Sequence, residues 1–214
     1  MGATLALAVA VNPLAQAASG LKLHPNGFGQ KSYAAWKAQE GLPDSNGNAN
    51  HALYFQKMTA TETFAAGIAE IKGVEGTPVS ALQGLEWQHR NDGWCGAGAP
   101  RWNVVIQGAN GTPYTLQLGC IAAAHTPGDA ANWTRDTYTS ATIVSTGASN
   151  QGITDPTVIA AIAAGTVQAL YIVFDEGTTL NGQPYGPGFV FLDNIVVTIN
   201  GVLHTWTSPA DNGR

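Results

Sequence analysis

Residues 195–206, Ile195-Val196-Val197-Thr198-Ile199-Asn200-Gly201-Val202-Leu203-His204-Thr205-Trp206, read as two β-strands folded back on a two-residue turn. An Asn-Gly step between alternating apolar runs favours a type I′ turn, in which both central residues take positive φ. Such a turn pairs Ile199 with Val202, Val197 with His204 and Ile195 with Trp206. One face of the ribbon then carries Ile195, Val197, Ile199, Val202, His204 and Trp206, the other Val196, Thr198, Leu203 and Thr205. The first set is the expected core face, with His204 an interior, hydrogen-bonded residue. By the same parity Asp193 is expected to point inward, behind Phe191.

Working outward, the same period-two alternation recurs. Leu53 and Phe55 share a face of HALYFQK, and Phe64 to Ile71 is extended. Leu85, Trp87 and His89 lie on one side of LEWQHR, with Glu86, Gln88 and Arg90 on the other. Trp102, Val104 and Ile106 continue the pattern, then Tyr114, Leu116 and Leu118, with Asn110-Gly111 in the loop between those two runs. Thr139–Ser145 reads as a further short strand. Ala169–Phe174 is apolar on both faces and reads as a central strand. One helix competes with these strands: Asp155 suits its cap, Pro156 its first position and Gly165 its stop. Many short strands at turn-rich spacing with one short helix predict an all-β fold, an antiparallel β-sandwich of the jelly-roll type.

Folding the 102–118 region at Asn110-Gly111 brings Cys120 close to residue 100, within reach of Cys95, the other of the two cysteines. A disulfide between them fits an oxidising compartment. Residues 3–18 are uncharged and end on Ala15-Gln16-Ala17, a small-x-small step. They read as a secretory signal segment over 1–18, too short to span a bilayer, which leaves 19–214 as a single sandwich domain. A secreted, extracellular location follows from both features. Charged residues make up 11% of the 214-residue chain, the net charge is −5, and nine Lys and Arg form no basic run. Nucleic acid is thereby excluded as a partner, because few phosphates would be neutralised.

An inward carboxylate must be paired or bound to a metal. For Asp193 the residues leave two solutions open: calcium, or a structural role in which the carboxylate is hydrogen-bonded or paired with Arg90, Arg101 or Arg135. Beyond the alternation, His24-Pro25-Asn26-Gly27-Phe28-Gly29 followed by Trp36, and Phe191-Leu192-Asp193-Asn194-Ile195-Val196-Val197, resemble the first and last strands of galactose-binding-like jelly rolls. Many carbohydrate-binding modules of secreted enzymes belong to that group. The resemblance implies a structural Ca2+ held by Asp193 with the segment Asn26 to Phe28 beside it. Gly29 stands where the family often carries Glu. The stretch from Asp92 to Asn103, with Val173 to Gly177, is also similar to secreted bacterial proteins.

Trp94, Trp133, Tyr138 and Tyr185 lie among Gly, Asn, Thr and Pro, outside the alternating runs. Flat rings flanked by short polar side chains suit sugar faces, so these four are the candidate ligand-binding residues. Their alternative is to cap the ends of the sandwich. Glu86 with Asp175 or Glu176 forms the candidate acid pair of a jelly-roll glycosidase, which needs two carboxyls across a cleft about 5–9.5 Å apart. A polysaccharide lyase would instead use His89 or Tyr171 as base, with Arg90 neutralising a uronate. The first expectation is a non-catalytic, secreted sandwich that binds a glycan or cell-surface ligand. The alternatives are such an enzyme, or an extracellular structural subunit that self-assembles by lending the apolar segment 5–11 to a neighbour's sheet.

Overall fold

The computed structural model describes residues 20–45, 47 and 49–213. The segment 1–18, read above as a secretory signal, and the donor strand 5–11 lie outside the described residues. In chain order the elements are β1 (Lys22–Phe28), β2 (Ser32–Lys37), β3 (Ala52–Lys57), β4 (Ala66–Lys72), β5 (Leu82–Arg90), β6 (Arg101–Gln107) and β7 (Pro113–Gly119). There follow β8 (Ala124–Pro127), β9 (Trp133–Thr139), α1 (Ser140–Asn150), α2 (Pro156–Ala163), β10 (Thr166–Phe174), β11 (Thr179–Leu180), β12 (Gln183–Pro184), β13 (Phe189–Ile199) and β14 (Val202–Trp206).

The chain is an antiparallel β-sandwich. One sheet has five strands in the order β1-β4-β10-β6-β7; the other runs β2-β3-β13-β5-β9-β8, with β14 also paired to β13. β13 is long enough to serve two partners along one edge: β3 meets residues 189–192 and β14 meets 195–199. The terminal hairpin has the register its sequence dictates, Ile199 opposite Val202, Val197 opposite His204 and Ile195 opposite Trp206. Asn200 and Gly201 both sit at positive φ, as a type I′ turn requires.

The core lies between the sheets. Leu23, Ile71, Trp102, Val104, Ile106, Leu116, Ile172 and Phe174 from the first sheet meet Leu53, Phe55, Leu85, Trp87, Leu192, Ile195 and Val197 from the second. Trp87 and Trp102 stack across the gap with centroids 5.0 Å apart. Stacked, fully buried rings of this size add to stability beyond the area they remove from water. The disulfide joins Cys95 to Cys120, with Cα atoms 5.3 Å apart.

Three expectations are corrected here. On the ribbon's first face Val202 is 45% exposed, and the buried His204 Nε2 has no hydrogen-bond partner among the described residues. There are two helices, because Thr139–Ser145 is not a strand: Thr139 caps α1 in a reciprocal box with Thr142. The buried positions Ile143, Gly147 and Ala148 then follow helical spacing. α2 forms where expected, with Asp155 accepting from the Thr157 amide. Asp193 does not follow the parity of the hairpin. The pairing of β13 with β5 slips between Asp193 and Val196, and Asn194 sits at φ +44. This bulge inserts one extra residue, so Val190 and Leu192 face the core while Phe189, Phe191 and Asp193 face the outside of the sheet. Asp193 is nonetheless only 1% exposed, because the loop containing Leu42 folds over it.

Candidate functional site

In a two-layer sandwich the outward position of every strand is free for function. On the five-stranded sheet, Trp102, Val104, Leu170 and Ile172 point in, so Arg101, Asn103, Tyr171 and Val173 point out. Register lines these up in rows. His24, Glu70, Tyr171, Asn103 and Gln117 cross all five strands in one row; Asn26, Ile68, Val173 and Arg101 form the next. Ala169–Phe174 is the central strand of its sheet, as read, but its second apolar face is open to a groove.

The groove has two connected hollows. One, of about 620 Å³, is bounded by Phe28, Phe64, Ile68, Arg101, Asn103, Tyr171, Asp175 and the loop 61–65. The other, of about 460 Å³, continues past His24, Asn26 and Glu70 and shares Phe28, Ile68 and Tyr171 with the first. Phe64 projects from the loop at 88% exposure and packs on Phe28 with ring centroids 4.7 Å apart.

The polar walls are fixed in advance. Arg101 donates to both Asp175 carboxylate oxygens at 2.5 and 2.7 Å, to the Gly98 carbonyl at 2.7 Å and to Asn103 Oδ1 at 2.9 Å. Bidentate pairing holds both partners in one geometry. Asn103 lines the groove, and its amide nitrogen has no acceptor among the described residues. Lys57 is buried at the rim, its ammonium donating to the carbonyls of Thr61, Thr63 and Asp175 at 2.7–2.8 Å. It ties the Phe64 loop to the end of β10, and burial pulls its pKa down. Burial, followed by the charges of Glu70 and Glu75, pushes the Tyr171 hydroxyl up, so it stays a neutral donor.

The four aromatics read as loop residues separate into two classes: Trp133 and Tyr138 lie in β9, while Trp94 and Tyr185 lie outside the strands. Tyr138 is 1% exposed and Trp133 5%. The Tyr138 ring fills the core and its hydroxyl donates to the Gly119 carbonyl, while Trp133 packs with Leu42, Ala52 and Phe191. Neither ring has an open face: Tyr138 is a core residue, and Trp133 belongs to the covered cluster on the outer face of the seven-stranded sheet. Trp94 packs against the core with its ring 4.9 Å from half-exposed Tyr185. Both donate to Glu176, as do the Gly98 and Ala99 amides, so this carboxylate is an anchor at the groove's end.

The acids read as a catalytic pair are not brought together. Glu86 lies on the outer face of the seven-stranded sheet, held by Arg135 and Thr137. Asp175 and Glu176 follow β10 and border the groove on the opposite outer face. The lyase set is dispersed as well. His89 is buried beside the disulfide with Nδ1 2.5 Å from Asp136, Tyr171 is in the groove, and Arg90 lies over Phe191 on the other sheet.

The metal ligand set is not assembled either. Asp193 accepts from the backbone amides of Leu42 and Asn194 at 2.7 and 2.6 Å, without an arginine. Asn26 and Phe28 lie on the far sheet, where Asn26 Oδ1 accepts from the Gly27 amide. These three residues cannot share one ion. Burial pushes the Asp193 carboxyl up to about 7 against those two hydrogen bonds, with Asp44 and Asp129 adding to the rise.

Sequence reading missed Asn103, Lys57, Ile68 and Phe64 as parts of a site. Its usable signal was in the outward positions of RWNVVIQ and ALYIVF, where an aromatic ring and an arginine stand inside strands instead of loops.

No family model matches the sequence, and no curated protein matches it. Solved structures do resemble the sandwich. The family 11 carbohydrate-binding module of a cellulosomal cellulase of Clostridium thermocellum matches at 10% identity over 90% of this chain and 96% of its own, with a TM-score of 0.40. A C-terminal family 22 carbohydrate-binding module from the same organism matches at 10% identity over 88% of this chain and 98% of its own, with a TM-score of 0.37. A β-1,2-glucanase from Parabacteroides distasonis matches at 15% identity over 83% of this chain and 23% of its own, with a TM-score of 0.35.

Proposed function

We propose that this chain is a secreted, non-catalytic glycan-binding sandwich, and that the glycan lies along the groove of the five-stranded sheet. The carrying observation is the groove itself: an open trough whose floor is Tyr171, Val173 and Ile68, whose rim is Phe28 and Phe64, and whose hydrogen-bonding groups are held by one another. Sugar rings offer CH faces to aromatic walls and hydroxyls to fixed amides and carboxylates, and a site built this way needs little reordering on binding. The lining mixes acids with Arg101 and Lys57, which favours a neutral chain over a strongly charged one.

The acids support binding without chemistry. Asp175 is spent on Arg101, Glu176 on four donors, and Glu86 is on the other face. The disulfide and the apolar segment 3–18 support work outside the cell. No described helix is long and apolar enough to cross a membrane.

The test is an array of neutral oligosaccharides, followed by calorimetric titration of the ligands retained. The Tyr171→Ala variant should weaken binding by about ten-fold or more, as loss of an aromatic anchor does. Equal affinity in wild type and variant would remove the groove from the account, and turnover of any retained ligand would remove the non-catalytic reading.

A further inference from the structure

The outer face of the seven-stranded sheet also departs from alternation. A solvent-facing sheet surface is normally polar, yet Tyr33, Tyr54, Phe189 and Phe191 gather there from β2, β3 and β13. Tyr54 is the hub, with ring centroids 5.8 Å from Tyr33, 6.1 Å from Phe189 and 4.7 Å from Phe191. With Lys37, Glu40 and Arg90 these rings bound a hollow of about 400 Å³.

Ring faces attract cations, and two of the chain's own cations lie beside three of these rings. The Arg90 guanidinium carbon lies 3.7 Å from the Phe191 centroid, and the Lys37 ammonium lies 5.6 Å from Tyr33 and 5.9 Å from Tyr54. The two cations differ in what remains to them. Arg90 is engaged by the Glu40 carbonyl and carboxylate and by both oxygens of Asp92. Glu40 is thereby drawn away as a counter-ion. Lys37 has no ion pair and no hydrogen-bond acceptor among the described residues, and the Tyr33 hydroxyl has none either. Lys37, Arg90 and Glu40 leave the hollow's lining with one net positive charge, which Asp92, bonded to Arg90 outside the lining, offsets from further away; Lys37, over two aromatic rings, is the cation without a carboxylate partner.

We propose that this hollow is a second carbohydrate site, specific for an acidic sugar: a uronate whose ring lies against Tyr33, Tyr54 and Phe189 and whose carboxylate pairs with Lys37. It is on the face opposite the groove and does not depend on what the groove binds. The ring cluster supplies area that ligand CH groups cover, and the lysine selects charge.

The test is calorimetric titration of the full chain with tetragalacturonate, with cellotetraose as the neutral comparison. Wild type binds tetragalacturonate, and binding weakens as salt is raised. Lys37→Gln weakens it by about ten-fold, the range of a lost charged contact, while Lys37→Arg restores most of it. Tyr171→Ala leaves it unchanged, which separates this site from the groove. Because Lys37 is exposed, its variants should melt with the wild type, and the melting curve checks this directly. The proposal is overturned if wild type takes up no tetragalacturonate at millimolar concentration, if Lys37→Gln binds it as wild type does, or if Tyr171→Ala abolishes it. An adverse groove result with neutral sugars would not touch it.

Discussion

At Asp193 one inserted residue decides what the side chain meets. Counting back from the hairpin places it in the core; the bulge at Asn194 turns it to the outer face, under the Leu42 loop. Its carboxyl, pushed up to about 7 mainly by burial, stays above the ordinary value of about 3.9 in the unfolded chain. The folded state therefore binds the proton more tightly than the unfolded state. Stability from this group is complete below about pH 4 and drains as pH rises toward 7. His204 works the other way: its Nε2 is buried without a partner, burial lowers its pKa, and stability is lost as pH falls below the ordinary value of 6.5. Asp193→Asn keeps an acceptor for the Leu42 amide, so it should flatten the decline in Tm between about pH 5 and about pH 7, measured by differential scanning fluorimetry. An unchanged slope would show that other groups set it.

Lys57 makes the second prediction at this scale. Lys57→Met leaves three part-buried carbonyls without their donor, a loss of about 3 kcal/mol, and should lower Tm by about 6–12 °C. It should also weaken glycan binding in the groove, because the loop carrying Phe64 is released. Neither the bulge nor this ammonium was legible in the sequence. A bulge depends on the partner strand's register, and a lysine at a strand's end reads as solvated until the loop above it is placed.

Elements were more legible than residues. The β13–β14 hairpin follows from Asn200-Gly201 and alternation alone, and the β6–β7 hairpin follows from Asn110-Gly111, which is why the Cys95–Cys120 pairing could be read before any coordinates. That disulfide closes a loop with a sequence separation of 25. In the chain-entropy account it is worth about 3–4 kcal/mol, so reduction should lower Tm by roughly 10 °C, read as melting with and without dithiol. A shift within error would mean the reduced chain already holds these ends together. α1 escaped the reading because Thr139 to Ser145 is rich in β-branched residues, and propensity yielded to packing. Gly147 shows the constraint: a Cβ there would lie 2.6 Å from the Leu116 Cβ, so the helix approaches β7 only through this glycine.

For the whole molecule, two packed layers were legible and two working faces were not. Period-two burial tells which residues go in. It is silent on how the outward residues of five separate strands line up, and the groove is made of that alignment: Tyr171 beside Asn103, Val173 beside Arg101. Trp94, Trp133, Tyr138 and Tyr185 drew attention as rings in loops, yet Trp133 and Tyr138 lie on opposite faces of β9, one under the Leu42 loop and one in the core. The outward rings of β2 and β3, Tyr33 and Tyr54, are only half-buried. The most direct measurement is a crystal structure of the chain soaked with a neutral oligosaccharide that the array retains. The account predicts a sugar ring against Tyr171, with hydroxyls bonded to Asn103 and Asp175. A sugar bound elsewhere, with Tyr171 bare, would contradict it.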